Sequence, residues 1–350
     1  MKKCVYLQVN MNVRIYRFFV TAAIAAVAAV SCAKNAGESS QDAGERSLKA
    51  FMQVHYPGVD TTASGIYIIE DLIGSGDEVV DSNYLFVEFE QRVLEDSTLV
   101  SYTSEELAKQ TGRYSKSAYY GQEVVRLLES TMAKGVYEIF KGGKNHGKMK
   151  VGGTRTAVLP SWLAPTSSNN VIYKMQVNGQ VENITEWEIG QIEKYLDLHR
   201  ITRPDTTGLY GFYFLRDEAR EKRRGVKADM SYEFPKDTTV YINYVGRLAS
   251  SGKVFDTNIK DTAKVWGIYS ATATYTPSAV TWSSDSTALK LGGSTVIPGF
   301  YHTLWKMHPF ESATSLFISD LGYTDKGSGN SIKGYMPLVF EIDIVKKDDE

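Results

Sequence analysis

Hydrophobic and polar residues alternate along several short segments of the chain. Residues 340–344 read Phe-Glu-Ile-Asp-Ile, so a strand here places its apolar side chains on one face and its carboxylates on the other. This alternation is typical of an antiparallel strand that is buried on one side. A composition rich in Thr and Tyr, with 22 Tyr in 350 residues, favours sheet as well. The pattern predicts a protein built largely from antiparallel sheet.

One stretch near the middle of the chain has a helical spacing instead. Ile189, Ile192 and Tyr195, followed by Leu196, lie on one face of a helix. Thr185 precedes Glu188 by three residues, which is the spacing of a capping box. We therefore predict a linker helix within residues 181–203, which docks on the domain that follows it.

Four segments of the first half match four segments of the second half in the same order. The matched pairs are 64–67 with 207–210, 84–89 with 239–244, 157–163 with 316–321, and 171–177 with 338–344. The offset grows along the chain, as expected for a duplicated domain whose loops have lengthened. The sequence thus predicts an α+β fold with two domains, at residues 51–180 and 204–350.

The N-terminal segment has the features of a secretion signal. Arg14 and Arg17 precede an apolar run at 18–30, which is shorter than the roughly 20 residues of a membrane-spanning helix. Residues 29–32, Ala-Val-Ser-Cys, resemble the lipobox of bacterial lipoproteins, with Ala at the usual Leu position. We predict a signal peptide over 1–31, lipid attachment at Cys32 and a flexible tether over 32–50. A signal peptide cut nearby without lipidation is the alternative.

Charge, cysteine and histidine content exclude several classes of function. The net charge is -2, so no basic patch indicates nucleic-acid binding. Cys4 and Cys32 are the two cysteines, so the mature chain has no disulfide framework. No two of the five His have the spacing of metal ligands with a carboxylate or Cys, and we predict neither a metal site nor a cofactor.

Four motifs in the second half occur in the order known from one enzyme family. The motifs are Val-Tyr-Ile-Asn-Tyr-Val-Gly-Arg-Leu at 240–248 with Gly-Lys-Val-Phe-Asp-Thr at 252–257, Val-Ile-Pro-Gly-Phe at 296–300, residues 318–323, and Leu-Val-Phe-Glu-Ile at 338–342. Together they resemble FKBP-type peptidyl-prolyl cis–trans isomerases. The resemblance implies a curved antiparallel sheet wrapped around a short helix, in both domains, with an aromatic pocket in the second.

The resemblance also implies a role for each matching residue. The walls that hold the proline ring are Tyr244, Phe255, Phe300 and Phe340. Val296 and Ile297 form the rim, where the Ile297 N–H binds a substrate carbonyl. Asp256 lies beside the twisting carbonyl, and Tyr323 offers its hydroxyl to the substrate backbone. A thousandfold acceleration lowers the rotation barrier of about 18–20 kcal/mol by only about 4 kcal/mol, so such a pocket needs no nucleophile or metal.

The chain departs from the family pattern in two regions. Phe300 replaces the usual Trp, and an insertion near 259–286 brings four large rings that could fill or cover the pocket: Trp266, Tyr269, Tyr275 and Trp282. In the first domain, Phe89 takes the place of Tyr244, Ser101 that of Asp256, and Pro165 that of Tyr323; residues 135–140 echo the helix. We expect this first domain to be a degenerate copy without a working pocket.

These observations predict a prolyl isomerase or folding factor of the bacterial cell envelope. Its partners would be proline-containing polypeptides or unfolded envelope proteins, and a lipid would hold it at the membrane, with the outer membrane favoured. The alternative is a catalytically weak or inactive FKBP-like chaperone or protein-binding lipoprotein, and a purely structural surface lipoprotein is a third. Clients, membrane leaflet and oligomeric state stay open.

Overall fold

A computed structural model describes residues 39–143, 145–165, 169–202, 204, 208–283 and 285–347. The predicted signal peptide over 1–31 and the predicted lipid site at Cys32 lie outside the described residues. The helices are α1 Ser40–His55, α2 Glu105–Gln110, α3 Lys134–Lys141, α4 Ile184–Leu198, α5 Glu218–Arg223, α6 Lys260–Trp266 and α7 Pro298–Trp305. The strands of the first half are β1 Tyr67–Leu72, β2 Tyr84–Val93, β3 Leu99–Tyr102, β4 Glu123–Arg126, β5 Thr154–Leu159 and β6 Val171–Val181. Those of the second half are β7 Phe212–Arg216, β8 Thr239–Leu248, β9 Val254–Thr257, β10 Ser278–Thr281, β11 Lys290–Leu291, β12 Ser294–Thr295, β13 Ser312–Phe317 and β14 Leu338–Val345.

The strands of the first half form one antiparallel sheet. Its order is β1-β5-β6-β2-β3, and β4 pairs with the other end of β2. One face of the sheet packs against α3, whose Ile139 and Phe140 are fully buried. The alternating burial of β6, from Val171 to Val177, is the pattern of a strand with one face in a core.

The second half repeats this arrangement. Its order includes β8-β14-β13-β7, with β9 and β10 both paired to β8. Because β1-β5-β6-β2 and β7-β13-β14-β8 have the same order and direction, the two sheets share one topology. The helix α7 packs inside the second sheet as α3 does inside the first, through Phe300 and Leu304. The antiparallel, mixed α+β class that the alternation predicts is what the structure has.

Strand register corrects two of the matched segment pairs. Tyr67 pairs with Val158 and Tyr213 pairs with Leu316, so Tyr67 corresponds to Tyr213. The true counterpart of 65–67 is therefore 211–213, not the Gly-Leu-Tyr that ends at Tyr210. The shared feature is a glycine with positive φ before each strand. The pair 157–163 with 316–321 is wrong by one residue, because Ala157 pairs with Tyr173 just as Ser315 pairs with Phe340.

The predicted flexible tether over 32–50 is wrong for its C-terminal part, because α1 already begins at Ser40. Ser39 and Asp42 form a capping box at its start. Leu48 and Met52 are buried against the outer face of the first sheet, beside Val158. This burial stabilises the helix, since most helical stability in proteins comes from packing an amphipathic face.

The predicted linker helix is α4, and it packs on the outer face of the second sheet. Ile192 and Leu196 are buried there against Leu316 of β13. The predicted capping box of Thr185 and Glu188 is wrong. The helix is capped two residues earlier by Asn183, and Glu188 is buried. Since α1 covers the first sheet as α4 covers the second, α4 corresponds to α1 and is the first element of the second repeat.

The two halves contact each other through the segment before β4 and the loop before β14. The Lys333 ammonium lies 2.9 Å from a Glu123 carboxylate oxygen, and the Tyr119 N–H donates to the Asn330 carbonyl at 2.8 Å. The rings of Tyr84 and Tyr335 meet edge to face nearby. Within the described part of the chain, no helix is long and apolar enough to cross a membrane.

Candidate active site

Three strands of the second sheet bring the aromatic residues of the predicted pocket together. Gly246 of β8 pairs with Asp256 on one side and with Phe340 on the other. A side chain at Gly246 would place its Cβ 2.7 Å from the Phe255 ring and 3.0 Å from the Phe340 ring. The absence of a side chain at this position is therefore what lets the two rings approach, and they meet edge to face at 5.6 Å.

The ring cluster also includes Phe300, from the first turn of α7. Its ring contacts Phe340 at 5.0 Å and Tyr244 at 5.8 Å, both edge to face. Such perpendicular pairs contribute about 0.5–1.5 kcal/mol each beyond their burial. Four rings from β8, β9, α7 and β14 therefore converge on one point, and Phe317 stacks behind Phe340.

The start of α7 positions the rim. Ile297 is the residue before the helix and Pro298 its first residue, where the missing N–H of proline costs no hydrogen bond. Val296 and Ile297 are half-buried and pack against the ring cluster. Gly299 lets the helix lie against the sheet, because a Cβ there would come 2.4 Å from the Phe317 ring.

A single polar pair lies among these rings. The Tyr244 hydroxyl donates to Asp256 Oδ2 at 3.0 Å. Asp256 is exposed at the surface, yet protein atoms surround much of its carboxylate. This crowding raises the pKa of Asp256, and the hydrogen bonds from Tyr244 and Thr257 act in the opposite direction. Burial and the Asp256 charge raise the pKa of Tyr244. The tyrosine therefore stays protonated and keeps donating to the carboxylate.

Tyr323 reaches the same ring cluster from the loop after β13. It is half-buried and packs against the ring cluster, and burial with the nearby Asp256 charge raises its pKa. The loop is closed at its base by the Ser319 carbonyl, which accepts from the Thr324 N–H at 2.8 Å. Ser319 in turn donates its hydroxyl to the buried Glu188 carboxylate at 2.7 Å. A helix outside the pocket thus holds the loop that carries Tyr323.

Sequence reasoning missed Asn258, which braces the strand that carries Tyr244. Its side chain accepts from the Tyr244 N–H at 2.9 Å and donates to the Ile242 carbonyl at 2.8 Å. The equivalent residue of the first half is Thr103, whose hydroxyl accepts from the Phe89 N–H at 3.0 Å. In both repeats a polar residue directly follows a short strand, and this shared position is the sequence signal that could have identified Asn258.

The large rings of the insertion make their ring contacts outside the pocket cluster. The Arg247 guanidinium lies over Trp266, and Tyr269 stacks on Tyr275. Trp282 packs between Phe234 and Trp305, at the far end of α7 from Phe300. The insertion itself forms α6 and β10, and β10 pairs with the first half of β8.

The first half has the same frame with different side chains. Gln91 pairs with Ser101 and Tyr173 as Gly246 pairs with Asp256 and Phe340, so Phe89 and Ser101 occupy the positions of Tyr244 and Asp256. The phenylalanine ring and the serine hydroxyl cannot form the Tyr244–Asp256 hydrogen bond. Gly135 of α3, which touches Leu163 and Leu159, corresponds to Gly299, so Val136 stands where Phe300 does.

Residues 231–345 match the family model of FKBP-type peptidyl-prolyl cis-trans isomerases. The chain contains an FKBP-type isomerase domain. This match supports peptidyl-prolyl cis–trans isomerase activity, and the matched residues include every predicted site residue from Tyr244 to Phe340. No curated protein matches the chain in sequence.

Two solved structures illustrate what the chain is similar to. The three FKBP domains of wheat FKBP73 are 14% identical over 81% of this chain and 95% of that one, with a TM-score of 0.28. A peptidyl-prolyl cis-trans isomerase from Pseudomonas syringae pv. tomato str. DC3000 is 19% identical over 46% of this chain and 94% of that one, also with a TM-score of 0.28. TM-scores of 0.28 describe no shared arrangement of the two halves.

The ring cluster contains four aromatic side chains and the Asp256 carboxylate. Among the described residues, no group of three or more His, Cys, Asp or Glu side chains is placed to hold a metal ion. The cluster presents an apolar surface, the Asp256 carboxylate and the hydroxyls of Tyr244 and Tyr323.

Proposed function

We propose that the chain is a prolyl isomerase of the bacterial cell envelope, held at the membrane by a lipid on Cys32. Its working site is the hollow among Tyr244, Phe255, Phe300 and Phe340. The first half is a second FKBP-like domain that has lost the polar pocket groups. The observation that supports this proposal best is the convergence of the four rings around the Tyr244–Asp256 hydrogen bond.

The proposed mechanism is selective binding of the twisted amide. A planar amide is more polar than a twisted one, because resonance between C–N and C=O is lost on twisting. Water therefore stabilises the planar form, and an apolar hollow removes that advantage. The rings would hold the proline, the Ile297 N–H would bind a substrate carbonyl, and the Asp256 carboxylate would face the carbonyl carbon that loses resonance. Binding the transition state more tightly than the ground state is sufficient for catalysis.

A proline-peptide isomerisation assay tests the site. We expect the wild-type chain to accelerate isomerisation, and Phe300→Ala to lower kcat/KM by at least thirtyfold. Because Phe300 is also a core residue, circular dichroism must show that the variant is folded. Trp282→Phe, which alters a buried ring at the far end of α7, is the matched control and retains turnover. Wild-type turnover no greater than that of Phe300→Ala would reject catalysis.

The alternative function, an inactive FKBP-like chaperone, would be favoured if the insertion filled the hollow. The ring contacts of Trp266, Tyr269 and Trp282 lie elsewhere, so we propose the enzyme first. A folding assay separates the two. A chaperone without isomerase activity suppresses aggregation of an unfolded protein and leaves proline-limited refolding rates unchanged, whereas the proposed enzyme accelerates them.

Lipid attachment is tested by metabolic labelling. Cells that express the full chain with a labelled fatty acid should incorporate label into the wild-type protein and into Cys4→Ser. Cys32→Ser should carry no label and should leave the membrane fraction. Label retained in Cys32→Ser would reject the proposed anchor, without bearing on the isomerase pocket.

A further inference from the structure

A cavity of about 420 Å³ lies in the first half of the molecule, against the second. Phe89 and Ser101 line it, and these are the positions of Tyr244 and Asp256 in the isomerase pocket. Lys333, from the loop before β14, closes one side. The degenerate copy has therefore kept an open cavity at the mouth of its former pocket, and the second half contributes to its lining.

The backbone edge of β3 faces this cavity. Val100, Ser101 and Tyr102 all line it, although consecutive side chains of a strand point to opposite faces. A β-bulge at Val100 interrupts this alternation, and the Leu99 carbonyl accepts from Arg113, another lining residue, so the edge of the strand that carries Leu99 faces the cavity. Within the described residues, β3 pairs with β2 alone, so its other edge is unpaired by any strand. Val100 is 45% exposed there. An unpaired edge is a template for an extended chain.

The cavity lining carries a net positive charge. Its charged residues are Arg113, Lys333 and Glu123. Glu123 balances Lys333 at 2.9 Å. The Arg113 guanidinium donates to the Leu99 carbonyl at 2.7 Å, and this neutral group does not compensate its charge. A guanidinium with further N–H groups directed to one carboxylate is a strong and specific anion ligand.

We propose that this cavity binds an extended polypeptide segment that carries a carboxylate. The segment adds to the edge of β3, places an apolar side chain on Phe89 and Val100, and pairs its carboxylate with Arg113. The carboxylate is either an acidic side chain or a chain terminus, since both present the same two oxygens. This binding does not depend on isomerase activity, because it uses neither the rings around Phe300 nor Asp256.

Fluorescence anisotropy with proline-free peptides tests the proposal on the full chain. The probe is the hexapeptide Ala-Phe-Glu-Val-Thr-Ala, amidated at its C-terminus and labelled at its N-terminus with an uncharged dye. Matched peptides carry Lys or Gln in place of Glu, and a fourth has Gln and a free C-terminal carboxylate. We expect a peptide with one of the two carboxylates to bind at least tenfold more tightly than the Lys peptide. Tighter binding of the Glu peptide or of the free-carboxylate peptide identifies the source.

Two variants place the binding in this cavity. Arg113→Gln removes the positive charge of that side chain. Ser101→Asp adds a carboxylate to the lining and leaves Arg113 unsubstituted. Each should weaken binding of the preferred peptide at least tenfold. Lys109→Gln is the matched control, because Lys109 is an exposed cation that already pairs with Glu105, and its affinity should stay within twofold of wild type. Thermal unfolding verifies that every variant is folded.

The proposal is overturned if neither the Glu peptide nor the free-carboxylate peptide binds more tightly than the amidated Gln and Lys peptides, or if folded Ser101→Asp binds as the wild type does. Prolyl isomerisation, measured on the same samples, should be unchanged in Arg113→Gln and Ser101→Asp. Failure of the peptide experiment therefore leaves the proposed isomerase intact, and loss of isomerisation in the wild type leaves the cavity to be judged by binding alone.

Discussion

The two halves of the molecule share a strand order, a covering helix and a helix enclosed by the sheet, yet their pockets differ. In the second half, Gly246 admits two rings and Tyr244 donates to Asp256. In the first half, the buried Gln91 stands in place of Gly246, and Phe89 and Ser101 replace the polar pair. The difference shows that two sheets can share a frame and differ in the side chains at equivalent positions, because strand pairing depends on the backbone and the chemistry depends on the side chains.

The first half replaces an apolar core contact with a buried ion pair. Arg155 is 1% exposed and pairs with Asp71 at 2.8 Å, and it also donates to the Ile139 carbonyl. The equivalent residue of the second half is Ala313, since Arg155 pairs with Met175 as Ala313 pairs with Ile342. Burial alone would raise the pKa of Asp71, but hydrogen bonds from Arg155 and His146 lower it.

The largest expected effect comes from removing that arginine. Arg155→Ala leaves the Asp71 carboxylate with His146 in place of a buried guanidinium, and should destabilise the first half by about 3–5 kcal/mol. Urea unfolding measures the loss. The double variant Arg155→Met with Asp71→Asn should recover much of the stability, because neither buried charge remains. Equal stability of Arg155→Ala and wild type would show that the ion pair is dispensable.

The pH dependence should differ between the halves. Burial raises the pKa of Glu188 to about 7, above its unfolded value of 4.5, although the Ser319 hydrogen bonds oppose the shift. As the pH falls, the Glu188 carboxylate therefore binds its proton in the folded state before it does so in the unfolded state. Its contribution to stability is full below pH 4.5 and is lost as pH rises toward 7, by about 2–3 kcal/mol. Unfolding of wild type and of Glu188→Gln across pH 5–8 measures this, and the variant should have the flatter profile.

The ion pair of the first half has the opposite sign. The pKa of Asp71 is lowered on folding, so its contribution is present above the unfolded value of 3.8 and is lost only as pH falls through the lower folded value. The Glu188 expectation fails if Glu188→Gln keeps the wild-type slope between pH 5 and 7.

Two glycines test whether the enclosed helices pack alike. Gly299→Ala forces a methyl group into the Phe317 ring, and Gly135→Ala forces one against the Leu163 carbonyl. Each should cost about 1–3 kcal/mol of stability, but only Gly299→Ala should also lower isomerase kcat/KM. Gly190→Ala, in the middle of α4 with no atom within 4 Å of its Cβ, should instead stabilise by about 1 kcal/mol. A loss of turnover in Gly135→Ala would show that the halves are coupled.

The smallest expected effect comes from substitutions at the equivalent positions Asp256 and Ser101. Asp256→Ala should lower kcat/KM about tenfold, which corresponds to about 1.4 kcal/mol of transition-state stabilisation. Ser101→Ala should leave kcat/KM unchanged, since it lies in the other half. Steady-state isomerisation of one proline peptide measures both. Identical rates for wild type and Asp256→Ala would leave the rings as the whole of the site.

Much of the ring cluster could be predicted because its residues lie in short motifs. Tyr244, Phe255 and Phe300 each stand at a fixed place in a recognisable segment, and the structure brings them together with Phe340. The burial of Gln91 and Arg155 could not be predicted, because a polar residue at an alternating position of a strand ordinarily faces solvent. Only the packing of the first half shows that both are buried.

The sequence by itself determined the antiparallel strands, the order of the repeats and the identity of the FKBP-type motifs, since period-two alternation and motif order are local properties of a chain. Tertiary structure decided that α1 and α4 cover equivalent sheets, that the rings of the insertion lie outside the pocket, and that β3 presents an edge to a cavity between the halves. These depend on contacts between residues far apart in the chain, which no local pattern encodes.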